Sequence, residues 1–185
     1  MNKEIKYEVC TPINEDVFNV VMPTSINVNW AETISEWTAK SGVMLPKSKE
    51  EIISFFEEGH SVVVVDNKGS LVSHAAATFI YSDGSIEVGA IYTVDNQRGK
   101  GVATKAVIAL LDLLKRRYPE RMIFALANSN SAPLFKKLGA TEMETTELSK
   151  EVWEPCKQCP KNPLLKDMKY KIFSCCDTPY NLTNI

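Results

Sequence analysis

Long apolar runs are missing from this sequence. Nowhere in its 185 residues does a hydrophobic stretch approach the ~20 that span a bilayer, and the opening MNKEIKYEVC has no apolar h-region. Charge of one sign is missing as well: 21 Lys and Arg stand against 23 Asp and Glu, a formal net charge of −2. There is then no field for nucleic acid or an anionic membrane, and no block of like charge that reads as a binding tail. Internal repeats and low-complexity tracts are also absent. These absences predict a soluble, cytoplasmic chain that binds neither nucleic acid nor membrane; the expected assembly is a monomer or homodimer.

What is present is hydrophobic content of 44%, enough for one good core in a chain of this length. IKYEVCT alternates and is β-rich, which predicts a first strand. NEDVFNVVM begins with capping chemistry, and NVNWAETISEWTAK carries Trp30, Ile34 and Trp37 at helical spacing; together they predict two early helices, or one broken at Pro23. Ser48 followed by Glu51 is a capping box that opens a helix closing at Gly59. HSVVVVD, LVSHAAATFIY and SIEVGAIYTV, joined by short polar turns, predict an antiparallel meander. The period then changes to 3.6. Ala103, Val107, Leu110, Leu111 and Leu114 form one apolar stripe, and Lys115, Arg116 and Arg117 suit the negative pole of that helix. RMIFALAN reads as a central strand, SAPLFKKLGA as a short helix ending at Gly139, and TEMETTEL as a further strand.

Between the meander and the long helix lies QRGKGVAT. A strand entering a turn with two glycines and then a helix N-terminus leaves several backbone N–H groups aimed at one spot, where the helix dipole adds positive potential. Such a turn holds an anion, most often a phosphate. The bland alternative is that the glycines merely permit a tight connection. A Walker loop fails, because Val94 stands where its first glycine belongs and Gly101 follows Lys100. A dinucleotide fingerprint fails too: Thr104 takes the third small position, and the preceding strands form a meander. The pattern arginine/glutamine-x-x-glycine-x-glycine/alanine is met without gaps by Arg98, Gly101 and Ala103.

On these residues the chain resembles the GCN5-related N-acetyltransferase (GNAT) superfamily, in which this turn binds the pyrophosphate of acetyl-CoA. A second block, NSNSAPLFKKLGA, is similar to the family's Asn-x-x-Ala-x-x-Leu-Tyr-x-x-x-Gly-Phe segment. Asn128, Leu134 and Gly139 match, Ser131 substitutes for alanine, and Phe135 and Ala140 depart. The resemblance covers about residues 4–148. It implies an α/β (α+β) fold, with a mixed, mostly antiparallel central sheet flanked by helices on both faces. It also implies an acetyl-CoA-binding core over 1–150, with a cysteine-containing extension over 151–185 supplying the last strand through MKYKIF.

The implied activity is acetyl transfer from acetyl-CoA to a primary amine, on a small molecule or a protein, by direct attack in a ternary complex. The alternative is a catalytically silent CoA-binding metal or redox sensor, and transfer of a longer acyl group is a third reading. The cofactor contacts implied are the main chain of Tyr92, Thr93 and Val94, the turn Arg98, Gly99, Lys100, Gly101, Val102, Ala103 and Thr104, and Asn128, Ser131 and Phe135. A main-chain N–H near Tyr92 polarises the thioester carbonyl. Phe135 stands where many relatives carry a tyrosine that protonates the leaving thiolate, which phenylalanine cannot do. It reads better as core packing.

Glu87 is the leading general base, since strand parity puts it on the face of Ile91 and Thr93. Tyr92, Tyr81, His74 or a water chain are the other options. His60 and His74 otherwise read as surface or satisfied strand residues, and Trp30 and Trp37 as core or as acceptor-pocket walls. An acidic lining would favour polyamines or aminoglycosides, an open groove protein lysines or N-termini.

Four of the five cysteines fall after residue 155: Cys156-x-x-Cys159, fifteen residues, then Cys175-Cys176. The first pair and the gap suit a structural zinc site, while adjacent cysteines replace the expected second Cys-x-x-Cys, so both reach one metal only if the chain turns at CCDTPY. A redox switch, a disulfide, or no joint role are the alternatives. Cys10 reads as a small apolar residue.

Overall fold

The computed structural model describes residues 18–155 and 178–185. The strand expected at IKYEVCT, the MKYKIF segment, Cys10 and all four tail cysteines lie outside the described residues.

Among the described residues seven strands form one mixed sheet in the order β1-β2-β3-β4-β5-β7-β6. The strands are β1 (Asn19–Val21), β2 (Ser61–Val65), β3 (Leu71–Ile80), β4 (Ile86–Thr93), β5 (Ile123–Ala127), β6 (Thr141–Glu142) and β7 (Thr178–Asn181); the helices are α1 (Val28–Lys40), α2 (Lys49–Glu57), α3 (Val102–Arg117) and α4 (Ala132–Lys137). β2, β3 and β4 are the expected antiparallel meander, and β4 pairs parallel with β5.

The valine run of β2 is buried on both faces because helices cover both. Val62 and Val64 join Ala75, Ala77, Val107, Leu110 and Leu114 beneath α3. Val63 and Ala76 turn the other way, against Ile34 of α1 and Ile52 and Phe56 of α2. The alternation along β2 and β3 therefore divides one core into two layers. α2 starts where the capping box places it: the Ser48 side chain accepts from the Glu51 N–H at 3.1 Å, and the Glu51 carboxylate accepts from the Ser48 N–H at 2.7 Å.

Three expectations need correction. Residues 19–21, within the stretch expected to be helical, form β1, with Asn19 opposite Val65 and Val21 opposite Val63. Two consecutive valines next to an open sheet edge gain more from pairing with β2 than from a helix that Pro23 would end. TEMETTEL forms a strand only at Thr141 and Glu142; a 3₁₀ turn follows at Thr145–Glu147, closed by the Glu144 N–H donating to the Glu147 carboxylate at 2.7 Å. That turn drops Leu148 against Tyr81, Phe124 and Val152. Finally, Thr178 to Tyr180, expected to turn, belong to β7, which is inserted between β5 and β6.

β4 and β5 pair only at Ile86↔Ile123 and Glu87↔Phe124. Beyond Glu87 the two strands diverge, and β5 goes on pairing with β7 on its other side. The sheet thus opens into a wedge at its centre.

Candidate active site

The wedge holds a cavity of about 590 Å³. It runs from Arg98 and Ala103 at the glycine turn, along β4 and the end of β5, to Glu87 and the α1–α2 connection. Among the expected site residues, Glu87, Tyr92, Thr93, Arg98, Ala103, Asn128, Ser131 and Phe135 line it. Val94, Gly99, Lys100, Gly101, Val102 and Thr104 are not in its wall; they form the turn and helix start beside it.

At that turn Gly99 and Gly101 have φ of +78° and +77°, and a Cβ on either would meet nothing within 4 Å. Both glycines are therefore required by backbone conformation, and the space in front of them is open. Gly101 caps α3, and the Lys105 N–H is the first to bond back, to the Gly101 carbonyl at 3.1 Å. The N–H groups of Gly99, Gly101, Val102, Ala103 and Thr104 have no backbone acceptor among the described residues. They sit at the positive end of a 16-residue helix, where the dipole favours negative charge. The Val102 side chain is buried in the core and anchors the helix start. Arg98 folds back on the strand: its Nε donates to the Thr93 carbonyl at 3.2 Å and its guanidinium pairs with Asp95 at 3.0 Å. It braces the turn.

β4 carries an extra residue opposite β3 between the pairs His74↔Tyr92 and Ala76↔Gly89. Ala90, in this bulge, has φ +49°, the one positive φ at a non-glycine among the described residues. Such a conformation costs on the order of 1–3 kcal/mol and persists only when its surroundings hold it. Here β3 does so. His74 Nδ1 lies 2.8 Å from the Ala90 carbonyl, Ser73 Oγ donates to the Tyr92 carbonyl at 2.7 Å, and a Cβ at Gly89 would press on Thr78 Oγ1 at 3.0 Å.

A carbonyl only accepts, so Nδ1 carries the His74 proton, and Nε2 accepts from Ser61 Oγ at 2.8 Å. Burial pushes the His74 pKa down to about 4, against the backbone bond to Ala90 that raises it. With both nitrogens engaged and the ring fully buried, His74 is a strut and no base. His74→Ala is expected to orphan the Ala90 carbonyl and the Ser61 hydroxyl and to cost about 3 kcal/mol. Urea unfolding measures the loss, and His74→Asn, which keeps a donor near the Nδ1 position, should recover part of it. His60 is likewise structural: its ring nitrogens lie 2.9 Å from Glu58 and 2.9 Å from the Tyr118 hydroxyl, and burial lowers its pKa, helped by Arg117 and opposed by Glu58.

The bulge corrects the parity argument for Glu87. Ile86 and Val88 face α3, and beyond the extra residue Ile91 packs on that same side, while Ala90 packs on the α1–α2 side and Tyr92 stacks on Trp37 of α1 with centroids 4.9 Å apart. Glu87 therefore shares its face with Tyr92, and Ile91 lies opposite. The Glu87 carboxylate accepts a 2.5 Å hydrogen bond from the Tyr81 hydroxyl. Burial raises its pKa above the ordinary 4.5, while the Tyr81 hydrogen bond and the Lys47 charge pull the other way.

Asn128 and Ser131 act on the frame. Asn128 Oδ1 accepts from the N–H groups of Asn130 and Ser131 at 2.9 and 3.2 Å, and its Nδ2 donates to the Val43 carbonyl at 3.0 Å, tying the α1–α2 connection to the end of β5. Phe135 is 1% exposed and stacks on Tyr180 at 6.0 Å, as core packing requires, while its ring also forms part of the cavity wall. Trp30 and Trp37 pack on the α1–α2 core and lie outside the cavity wall.

Sequence reasoning missed the outer wall, made by residues 43–47, Phe79 and Val152. The available signal was VMLP, an apolar run in a loop bounded by Gly42 and Lys47. No group of His, Cys, Asp or Glu among the described residues could hold a metal ion; the tail cysteines are outside them.

The same frame recurs in known proteins. Residues 28–140 match the family described as Acetyltransferase (GNAT) family. An uncharacterized N-acetyltransferase of Chlorobaculum tepidum is 27% identical over 128 residues, covering 69% of this chain and 78% of that protein. Among solved structures, a Mycobacterium tuberculosis protein in complex with CoA and NLQ aligns at 19% identity and TM-score 0.62, covering 88% of this chain and 98% of its own. The N-acetylglutamate synthase of Neisseria gonorrhoeae, complexed with coenzyme A and N-acetyl-glutamate, aligns at 14% identity and TM-score 0.67, covering 91% of this chain and 35% of its own. With residues 28–140 matched, the chain belongs to the GNAT family of acetyltransferases. It is an acetyl-CoA-dependent acyltransferase. None of the helices among the described residues is long and apolar enough to cross a membrane.

Proposed function

We propose that the protein moves acetyl from acetyl-CoA to a primary amine by direct attack in a ternary complex, with Glu87 as the base. The observation that carries this reading is the Glu87 carboxylate, half-buried in the wall of the wedge, hydrogen-bonded to Tyr81 and on the same face of β4 as Tyr92.

The pyrophosphate lies on the N–H groups of the turn from Gly99 to Thr104, and the pantetheine arm enters between β4 and β5 along Tyr92, Thr93 and Val94. The amine lone pair attacks the thioester carbon while a main-chain N–H near Tyr92 steadies the oxyanion. The N–C bond forms, the C–S bond breaks with its electron pair on sulfur, and the amine proton passes to Glu87. Phe135 offers no proton, so CoA leaves as a thiolate. An ordinary thiol pKa near ~8.5 allows this.

Thiol release from acetyl-CoA, followed against polyamines, aminoglycosides, alkylamines, amino acids and lysine peptides, tests the reading. Release stimulated by one class is expected. Tight acetyl-CoA binding with no stimulated release by any amine would overturn it in favour of a silent CoA-binding protein, the reading that Phe135 at the general-acid position supports.

A further inference from the structure

We infer that the acceptor carries one cationic centre, the reacting amine, on an apolar body, and that the outer vestibule around Lys47 rejects amines bearing a second ammonium. This deepens the acetyl-transfer reading and rests on it.

The outer end of the cavity is walled by the 43–46 segment of the α1–α2 connection, by Phe79 of β3 and by Val152. Val43, Leu45 and Phe79 remain 40%, 39% and 39% exposed, so three large apolar side chains meet water around one opening. An apolar body seated there would remove that surface from water, at roughly 25 cal/mol per Å². The wall is held in place, since the Asn128 side chain donates to the Val43 carbonyl.

Charge decides the rest. Among the described residues only two carboxylates line the cavity, Glu87 and Asp95, and Asp95 is paired with Arg98 at the glycine turn. Against them stand Lys40, Lys47 and Arg98. The Lys47 side chain is 10% exposed, its ammonium 3.2 Å from Glu51 and 4.8 Å from the centre of the Phe79 ring. Lys40 is held by Glu36 at 3.0 Å. The reacting amine finds one carboxylate at the wedge to take its proton during transfer, Glu87. A second ammonium a few bonds behind would face Lys47, Phe79 and the apolar wall, with Glu36 and Glu51 already paired. A charge placed there without a partner is costly. Polyamines and aminoglycosides therefore fit poorly, while an alkyl or arylalkyl monoamine fits both the carboxylate and the wall.

The test compares hexylamine with 1,6-diaminohexane, two amines of equal chain length, beside spermidine and a lysine peptide, with the full chain and acetyl-CoA. The expected kcat/KM for hexylamine is at least ~10-fold above that for the diamine, and Lys47→Gln is expected to narrow that ratio at least threefold. A diamine, spermidine or lysine peptide used as well as hexylamine or better overturns the vestibule inference and leaves acetyl transfer standing. An unchanged ratio in Lys47→Gln overturns the part assigned to Lys47. No release with any amine, acetyl-CoA still binding, fells the acetyl-transfer reading and the inference with it.

Discussion

Gly101→Val is expected to weaken acetyl-CoA binding by about 100-fold or more while the chain stays folded. Gly101 has φ +77°, a region that a β-branched residue occupies only under strain. Space is not the obstacle, since a Cβ there meets nothing within 4 Å. The chain can relieve the strain by rotating the Lys100–Val102 segment, and that rotation turns away the N–H groups proposed to hold the pyrophosphate. Any strain that remains costs about 1–2 kcal/mol, which appears as a drop of a few degrees in Tm. Calorimetric titration with acetyl-CoA and a melting curve separate the two effects. Unchanged affinity would remove the anion cradle from the mechanism, and an unfolded protein would mean the turn is needed for the fold itself.

Glu87→Gln is expected to lower kcat about 10²- to 10³-fold with acetyl-CoA affinity unchanged. A base must be ionised, and burial holds the Glu87 pKa above its ordinary 4.5. kcat/KM should therefore rise with pH through that raised value and then level off, and the rise should vanish in Glu87→Gln. Tyr81→Phe removes the hydroxyl that stabilises the carboxylate, so its limb should move to higher pH. Stability carries the same signature. A carboxyl whose pKa is raised on folding favours the folded state below its unfolded pKa, and that contribution is lost as pH rises through the folded pKa. Glu51, Asp83 and Glu142, whose pKa values are lowered, gain stability as pH rises in both proteins, so the Glu87 contribution is read as the difference: wild type should lose stability relative to Glu87→Gln across this window, as urea unfolding of both at several pH values would show. A wild-type rate profile shared by Glu87→Gln would assign the proton to another group or to water.

Local chemistry made much of this protein legible in one dimension. The capping box at Ser48, the valine run of β2 and the apolar stripe of α3 each specify an element from neighbours a few residues apart. The glycine turn is legible for the same reason, because the role proposed for it lies in contiguous backbone N–H groups. Residues 19–21 were misread because pairing with β2 depends on Val63 to Val65, more than forty positions away. Glu87 was found, yet its face was misassigned, since parity counts residues and cannot see an extra one. The bulge at Ala90 exists because His74, Ser73 and Thr78 on the neighbouring strand hold it.

By itself the sequence determined the meander of β2 to β4, the helices α2 and α3 and the glycine turn between β4 and α3, all of which follow from periodicity and backbone conformation over short stretches. The tertiary structure decided what the turn serves. It parted β4 from β5 beyond Glu87, set that carboxylate against Tyr81, and brought the 43–47 segment across to wall the cavity. These are relations between distant strands and loops, set by how sheet and helices share one core, and spacing along the chain does not carry them.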